Sequence, residues 1–308
     1  MSNNFVLITS FTVIGALFGL FGCDNDRNSD LICKNNPELC SDLHKDSWCR
    51  FEKGDLIRHR YALKQSSSPT GKQLYQQLVY LENYSKCIEL AAGVQHKLNT
   101  DRTRDRERAF AVSTQTLSEL QEFTRTNNEV HLAFYRWMRF NDQDSFAIVE
   151  DTYKQGGLTD NDIITQLAAY YVRVSPNDAK TLYLHLLATT EPAKIDPDWF
   201  LALASIYRQQ QNAEKEYLLT RANLLMSDNH ADEEKLLAII NGNKTLATEL
   251  DKQALELISA VMSKQFAQSR PLIDQYYITH GSVQLTKLCL IYIHNVLNVK
   301  KIQNYWLN

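Results

Sequence analysis

Glycine and proline are the residues that bend and end regular structure, and this chain of 308 residues carries only ten of the first and six of the second. Sheets built from hairpins need them at nearly every turn. Their scarcity points to long helices joined by few sharp connections, so the expected fold class is all-α. The length is ample for burying a core in one or two domains. Acidic and basic side chains nearly cancel, 36 against 33, for a net charge of −3. No overall field of that size draws the chain to a polyanion, and no nucleic-acid partner is expected.

The first charged residue is Asp24, and before it residues 5–21 (FVLITSFTVIGALFGLF) form an uncharged apolar run. A run of this length lies between a secretory core and the roughly 20 residues needed to span a bilayer, so length alone does not decide between them. The flank does. Leu20-Phe21-Gly22-Cys23 resembles the lipobox of bacterial lipoproteins, in which an apolar residue at −3 and a small one at −1 precede an acylated cysteine. The resemblance implies a signal peptide over residues 1–22, cleavage in front of Cys23 and lipidation of Cys23. Each buried CH₂ adds roughly 0.8 kcal/mol, so several acyl chains make a stable membrane anchor where one does not. Asp24 followed by Asn25 is similar to the retention signal of lipoproteins in enteric bacteria. It implies a Gram-negative cell envelope, with the periplasmic face of the inner membrane favoured over the outer membrane. Residues 23–30 read as a polar tether between lipid and fold.

Cys33, Cys40, Cys49 and Cys87 follow, with Cys289 far downstream. An exported chain meets an oxidising compartment, so disulfides are expected among the first four. The stretch from Cys33 to Cys49 is too short to bury a core. Cross-links within it, and to the helix that carries Cys87, would restrict its unfolded ensemble, typically for about 2–4 kcal/mol each. Three pairings of four cysteines are possible and all stay open. Zinc is the rival, with His44 and His59 close in sequence. However, no C-x-x-C is present and the spacings fit no common zinc pattern, so no metal and no cofactor is expected. Cys289 stands in an apolar run and reads as a buried thiol.

Residues 31–127 form a cysteine-containing helical region. Leu74, Leu78, Leu81, Ile88, Ala91 and Ala92 fall mostly three, four or seven apart and predict an amphipathic helix over 71–98. A second is predicted over 104–124 with Phe110, Leu117, Leu120 and Phe123 inward, and a third over 128–140. The segment DRTRDRER at 101–108 interleaves four Arg with three acids, several of them three or four residues apart, the pattern of a solvated, ion-paired helix face.

Within the region 128–270, Ile164, Leu167, Ala168 and Tyr171 recur 36 residues later as Phe200, Leu203, Ala204 and Tyr207, and Ala179 and Tyr183 recur 34 later as Ala213 and Tyr217. A large apolar residue, a Leu-Ala pair and a Tyr, then Ala-x₃-Tyr in a second helix, resembles the tetratricopeptide repeat. It implies helical hairpins stacked as an α-solenoid, with an irregular bundle as the alternative. In that family the first helix of each unit lines a groove. The matching positions are Asp162, Thr165, Ala169, Val172 and Arg173, then Asp198, Leu201, Ser205, Arg208 and Gln209. Arg173, Arg208 and Gln209 are the groove candidates, with the two Arg suited to an acidic peptide or carboxylate. Residues 271–308, with one acid in the whole tail, form an atypical C-terminal segment.

No catalytic arrangement is spelled out. G-x-S-x-G, H-E-x-x-H and G-x-G-x-x-G are absent, and Thr70-Gly71-Lys72 lacks both the first Gly and the Ser/Thr of a phosphate loop. Asp196 and Asp198 read as helix-start residues. Lipobox, early cysteines and helical body together resemble a bacterial lipoprotein family that carries a domain of unknown function. The expected function is a membrane-anchored adaptor or scaffold, not an enzyme, whose partners are the membrane through its lipid and a periplasmic protein or peptide. A cell-wall-active enzyme or accessory subunit and a structural envelope spacer are the alternatives.

Overall fold

The computed structural model describes residues 28–95, 100–227 and 232–267. Cys23, Asp24, Asn25, the apolar run before them, Cys289 and the tail after residue 270 lie outside the described residues. Among those described there are twelve α-helices and no strand, and no helix is long and apolar enough to cross a membrane. Contacts divide the chain after Ile148 into two compact units.

The first unit contains α1 (Ser29–Asn35), α2 (Arg50–Gln65), α3 (Gly71–Ala92), α4 (Thr100–Thr124), α5 (Val130–Phe140) and the start of α6 (Gln143–Lys154). α1 begins inside the segment expected to be a tether, because the Asn28 side chain accepts hydrogen bonds from the Asp30 and Leu31 N–H groups and caps it. α3 is the centre of the unit and packs on α2, α4 and α5. Leu78, Leu81, Tyr84, Ile88 and Ala91, spaced three or four apart, are fully buried. Each Leu or Ile on that face contributes roughly 1.5–3 kcal/mol by leaving water. Thr70 and Gln73 form a capping box that starts the helix. At Gly71 a Cβ would lie 2.5 Å from Glu129 Cγ, and Glu129 caps α5 through the His131 N–H. Glycine thus lets the starts of α3 and α5 meet.

α3 closes at Ala92 with Gly93 as its C-cap, short of the expected end at Leu98, since Gly is a poor helix former and a favoured terminator. Phe123, expected inward, is 74 % exposed, because the inward face of α4 runs through Leu117 and Leu120, which pack on Leu78, Leu132 and Tyr135, and continues at the buried Thr124.

The second unit contains α7 (Asn161–Val174), α8 (Pro176–Thr189), α9 (Asp198–Gln209), α10 (Ala213–Met226), α11 (Glu233–Ala238) and α12 (Lys244–Met262). α7 packs on α8, α9 on α10, α8 and α7 on α9, and α10 on α12. Ser175 and Pro176 reverse the chain between α7 and α8, with Pro in the first turn where its missing N–H costs nothing. All eight residues of the 36-residue recurrence in α7 and α9 are buried. In α8 and α10 the register differs from expectation. Ala213 opens α10 half-buried, while Leu182, Tyr183, Leu186 and Leu187 correspond in burial to Leu218, Leu219, Ala222 and Asn223, again 36 apart. In α12 the buried face is Ala247, Leu250, Ala254, Leu257 and Val261, and Leu255 is exposed.

Candidate functional site

The cysteines pair as Cys33–Cys40 and Cys49–Cys87. The first closes α1 onto the turn behind it. The second ties the start of α2 to α3, with Cys49 itself in the left-handed region at φ 49°, where a side chain costs roughly 1–2 kcal/mol. The loop between the bridges is held by charged groups. Arg60 takes both carboxylate oxygens of Asp42 at 2.8 Å and the Leu39 carbonyl. Arg108 donates to the Asp42 and Leu43 carbonyls, and Asp105 accepts from the Lys45 N–H at 2.7 Å. Arg106 is buried and pairs with Asp46 at 2.6 Å, donates to the Ala91 carbonyl and stacks its guanidinium over Trp48. The face expected to be solvated is therefore split. Arg104 pairs with Asp101 in water, while Arg106 and Arg108 fasten the cysteine loop.

His44 sits in the same loop. Its Nε2 lies 2.7 Å from the Trp48 carbonyl, which can only accept, so Nε2 carries the proton. Nδ1 then accepts from the Tyr84 hydroxyl at 2.9 Å. Burial, then the charge of Lys53, holds the imidazole below its usual range, and burial pushes the Tyr84 phenol up to about 12. Asp46 is pushed up by burial, but hydrogen bonds from the Trp48 N–H and Arg106 outweigh this and hold it low. His59 bonds the Gln73 carbonyl. Both imidazoles thus serve main-chain carbonyls, and Cys49, Glu52 and Cys87 cluster as two disulfide sulfurs and one acid.

The groove candidates lie on outward faces of α7 and α9, two helices in contact. Asp162, Ala169, Arg173, Asp198, Leu201, Arg208 and Gln209 are exposed, and Thr165, Val172 and Ser205 half-buried. Arg208 is not at liberty: its Nε donates to Glu216 Oε1 at 2.6 Å, and Glu216 is buried, so Arg208 neutralises a carboxylate of its own hairpin. Arg173 has no such bond among the described residues, and Tyr170, Val174 and Leu201 add exposed apolar surface. Asp196 accepts from the Asp198 N–H at 2.9 Å ahead of α9, and Asn223 Nδ2 donates to the Pro197 carbonyl.

A pocket of about 420 Å³ lies between the last turns of α4 and α5, and nothing in the sequence reading identified it. At its base Arg136 is 8 % exposed. Its Nη1 donates to the Thr124 and Asn127 carbonyls at 3.2 and 2.8 Å, closing the C-terminus of α4, and its Nε donates to Ser145 Oγ at 2.8 Å. Asp142 Oδ2 lies 3.8 Å from that Nε. The Ser145 hydroxyl and N–H, the Asp144 N–H and Arg136 hold the Asp142 carboxyl below its usual range. Tyr135 lines the pocket beside Arg136, its oxygen accepting from Gln121 Nε2 at 2.9 Å, and Phe140 meets the Tyr135 ring edge-on. The one trace in the sequence is an Arg set among Phe134, Tyr135 and Trp137, a charge in an otherwise apolar stretch.

No curated protein and no solved structure matches the chain. A family model does, over residues 20–221, which takes in the cysteine-stapled unit, the pocket and α7 to α9. Matched over well over half of its length, the chain belongs to the family described as Protein of unknown function (DUF2989).

Proposed function

We propose that the protein is a lipoprotein of a Gram-negative cell envelope, acylated at Cys23 and held at the periplasmic face of the inner membrane, where its helices act as an adaptor for another protein or peptide. The lipobox resemblance at residues 20–23 supports the anchor. Two disulfides close to it suit an oxidising compartment. The observation that carries the adaptor reading is the outward surface of α7 and α9, where Tyr170, Val174 and Leu201 are exposed beside Arg173. Apolar groups next to a cation with no ion-pair partner among the described residues suit an extended or helical segment with an acidic residue. The tetratricopeptide-like hairpins, in which first helices line a groove, agree with that placement.

Intact mass of the membrane-extracted protein beside a Cys23→Ala variant tests the anchor. A mature chain starting at Cys23 with acyl chains, lost in the variant, is expected, and an unprocessed mass overturns it. For the adaptor, a photo-crosslinking residue is placed at 173 or 201 and, as control, at 252 on α12. A discrete adduct from the first two that Leu201→Glu abolishes is expected; equal adducts from all three sites sink the reading. Arg208 is avoided because its replacement would strand the buried Glu216.

A further inference from the structure

We propose that the pocket between α4 and α5 binds a small monocarboxylate with an apolar body, its carboxylate received by Arg136 and Tyr135. This does not depend on the adaptor reading. The structural duty of Arg136 uses two of its three nitrogens: Nε goes to Ser145 and Nη1 to the carbonyls at the end of α4. Nη2 has no partner among the described residues. The Tyr135 oxygen accepts from Gln121, which leaves its proton to donate, and no described acceptor takes it. The Ser118 hydroxyl, also on the pocket wall, is likewise without a described partner. Three donors with no acceptor among the described residues therefore border one cavity, and one of them belongs to a guanidinium that burial has stripped of most of its water. Such donors are matched by the lone pairs of an anion, and a charge-assisted bond in a sheltered site is about twice as strong as a neutral one.

The charge of the ligand follows from the lining. Arg125 is paired with Glu122 at 3.0 Å and Arg136 lies near Asp142, so two cations face two anions. A dianion such as phosphate would meet both carboxylates, whereas a singly charged group on Nη2 and the phenol escapes most of that repulsion. Phe140 and the Tyr135 ring supply an apolar wall. The volume, about 420 Å³, falls in the range of roughly 300–1,000 Å³ usual for small-ligand sites.

The test uses phenylacetate as probe on the full chain in detergent, with phenylacetamide and inorganic phosphate as comparators, read by ligand-observed NMR. Saturable phenylacetate binding is expected, with the amide and phosphate at least about tenfold weaker. Tyr135→Phe keeps the ring and should weaken binding about tenfold. Phe140→Ala, at an exposed side chain, should weaken it several-fold while thermal unfolding stays unchanged. Arg136→Lys should abolish binding; if it fails to fold, the Tyr135 and Phe140 variants carry the decision. Absence of saturation at a Kd below about 10 mM, equal binding of the amide or phosphate, or binding indifferent to Tyr135→Phe and Phe140→Ala overturns the proposal.

Discussion

Up to Ile148 the chain joins its helices with two disulfides and with arginines driven into the structure, Arg60 on Asp42, Arg106 on Asp46 and Arg136 on the end of α4. Beyond Ile148 the described residues contain no cysteine, and the hairpins close on Phe200, Leu203, Leu167, Tyr207 and their neighbours. Polar bonds are present there too, Tyr171 to Glu150 at 2.5 Å, Tyr217 to Asp251 at 3.0 Å, Arg221 to both oxygens of Asp251 and Arg208 to Glu216, but among the described residues none of them is covalent. The contrast follows from local composition. Residues 33–49 hold few large apolar side chains, so this loop cannot stay put by burial and is clamped by covalent and charged contacts. The helices of the second unit are periodic enough to hold one another, since a face that repeats every three or four residues buries itself against a neighbour.

Phe200→Ala, which empties a fully buried site, should cost about 3–5 kcal/mol. By hydrogen exchange the loss should be confined to α9, α10 and their contacts; spread into α2 and α3 would end the distinction between the units. Removing Cys49–Cys87 by paired Ser substitution opens a loop of 38 residues and should cost about 4 kcal/mol, against about 2 for the seven-residue Cys33–Cys40 loop. Urea unfolding with and without reductant measures both, and protection in α7 to α10 should not change.

Arg106→Met strands the largely covered Asp46 carboxylate and should cost about 2–3 kcal/mol. Arg104→Ala, at a pair wholly in solvent, should stay within about 0.5 kcal/mol. Equal costs would mean that α4 does not fasten the loop. The smallest effect is with pH. The folded state keeps His44 neutral between Tyr84 and Trp48 and holds its pKa below 6.5, so below about pH 6.5 the unfolded chain binds a proton that the folded chain does not. Stability of the first unit should therefore fall as pH drops through that range. His44→Gln, which offers one acceptor and one donor, should flatten the slope, and an unchanged slope would assign the acid response elsewhere.

Helix content was legible in the rarity of Gly and Pro, and the inward faces of α3, α7 and α9 in the spacing of their apolar residues. The involvement of Cys33, Cys40, Cys49 and Cys87 was legible too. Their pairing was not, because three connectivities satisfy the same spacings and only the approach of α2 to α3 selects one. The DRTRDRER segment misled in part for a related reason. Periodicity shows which charges share a helix face, but whether another segment covers that face depends on residues 60 positions away, as Asp46 is from Arg106.

The pocket was illegible altogether. Its walls come from residues 118–125 and 135–142, and it exists because α4 and α5 both pack on α3, which leaves a spare guanidinium nitrogen beside a phenol at their last turns. Local side-chain order determined that this chain is helical, which faces are apolar and which cysteines have reason to pair, since those properties act over one or two turns. Tertiary structure alone decided which charges are buried, which disulfides form and where donors converge, since those depend on distances between segments that the linear order leaves free.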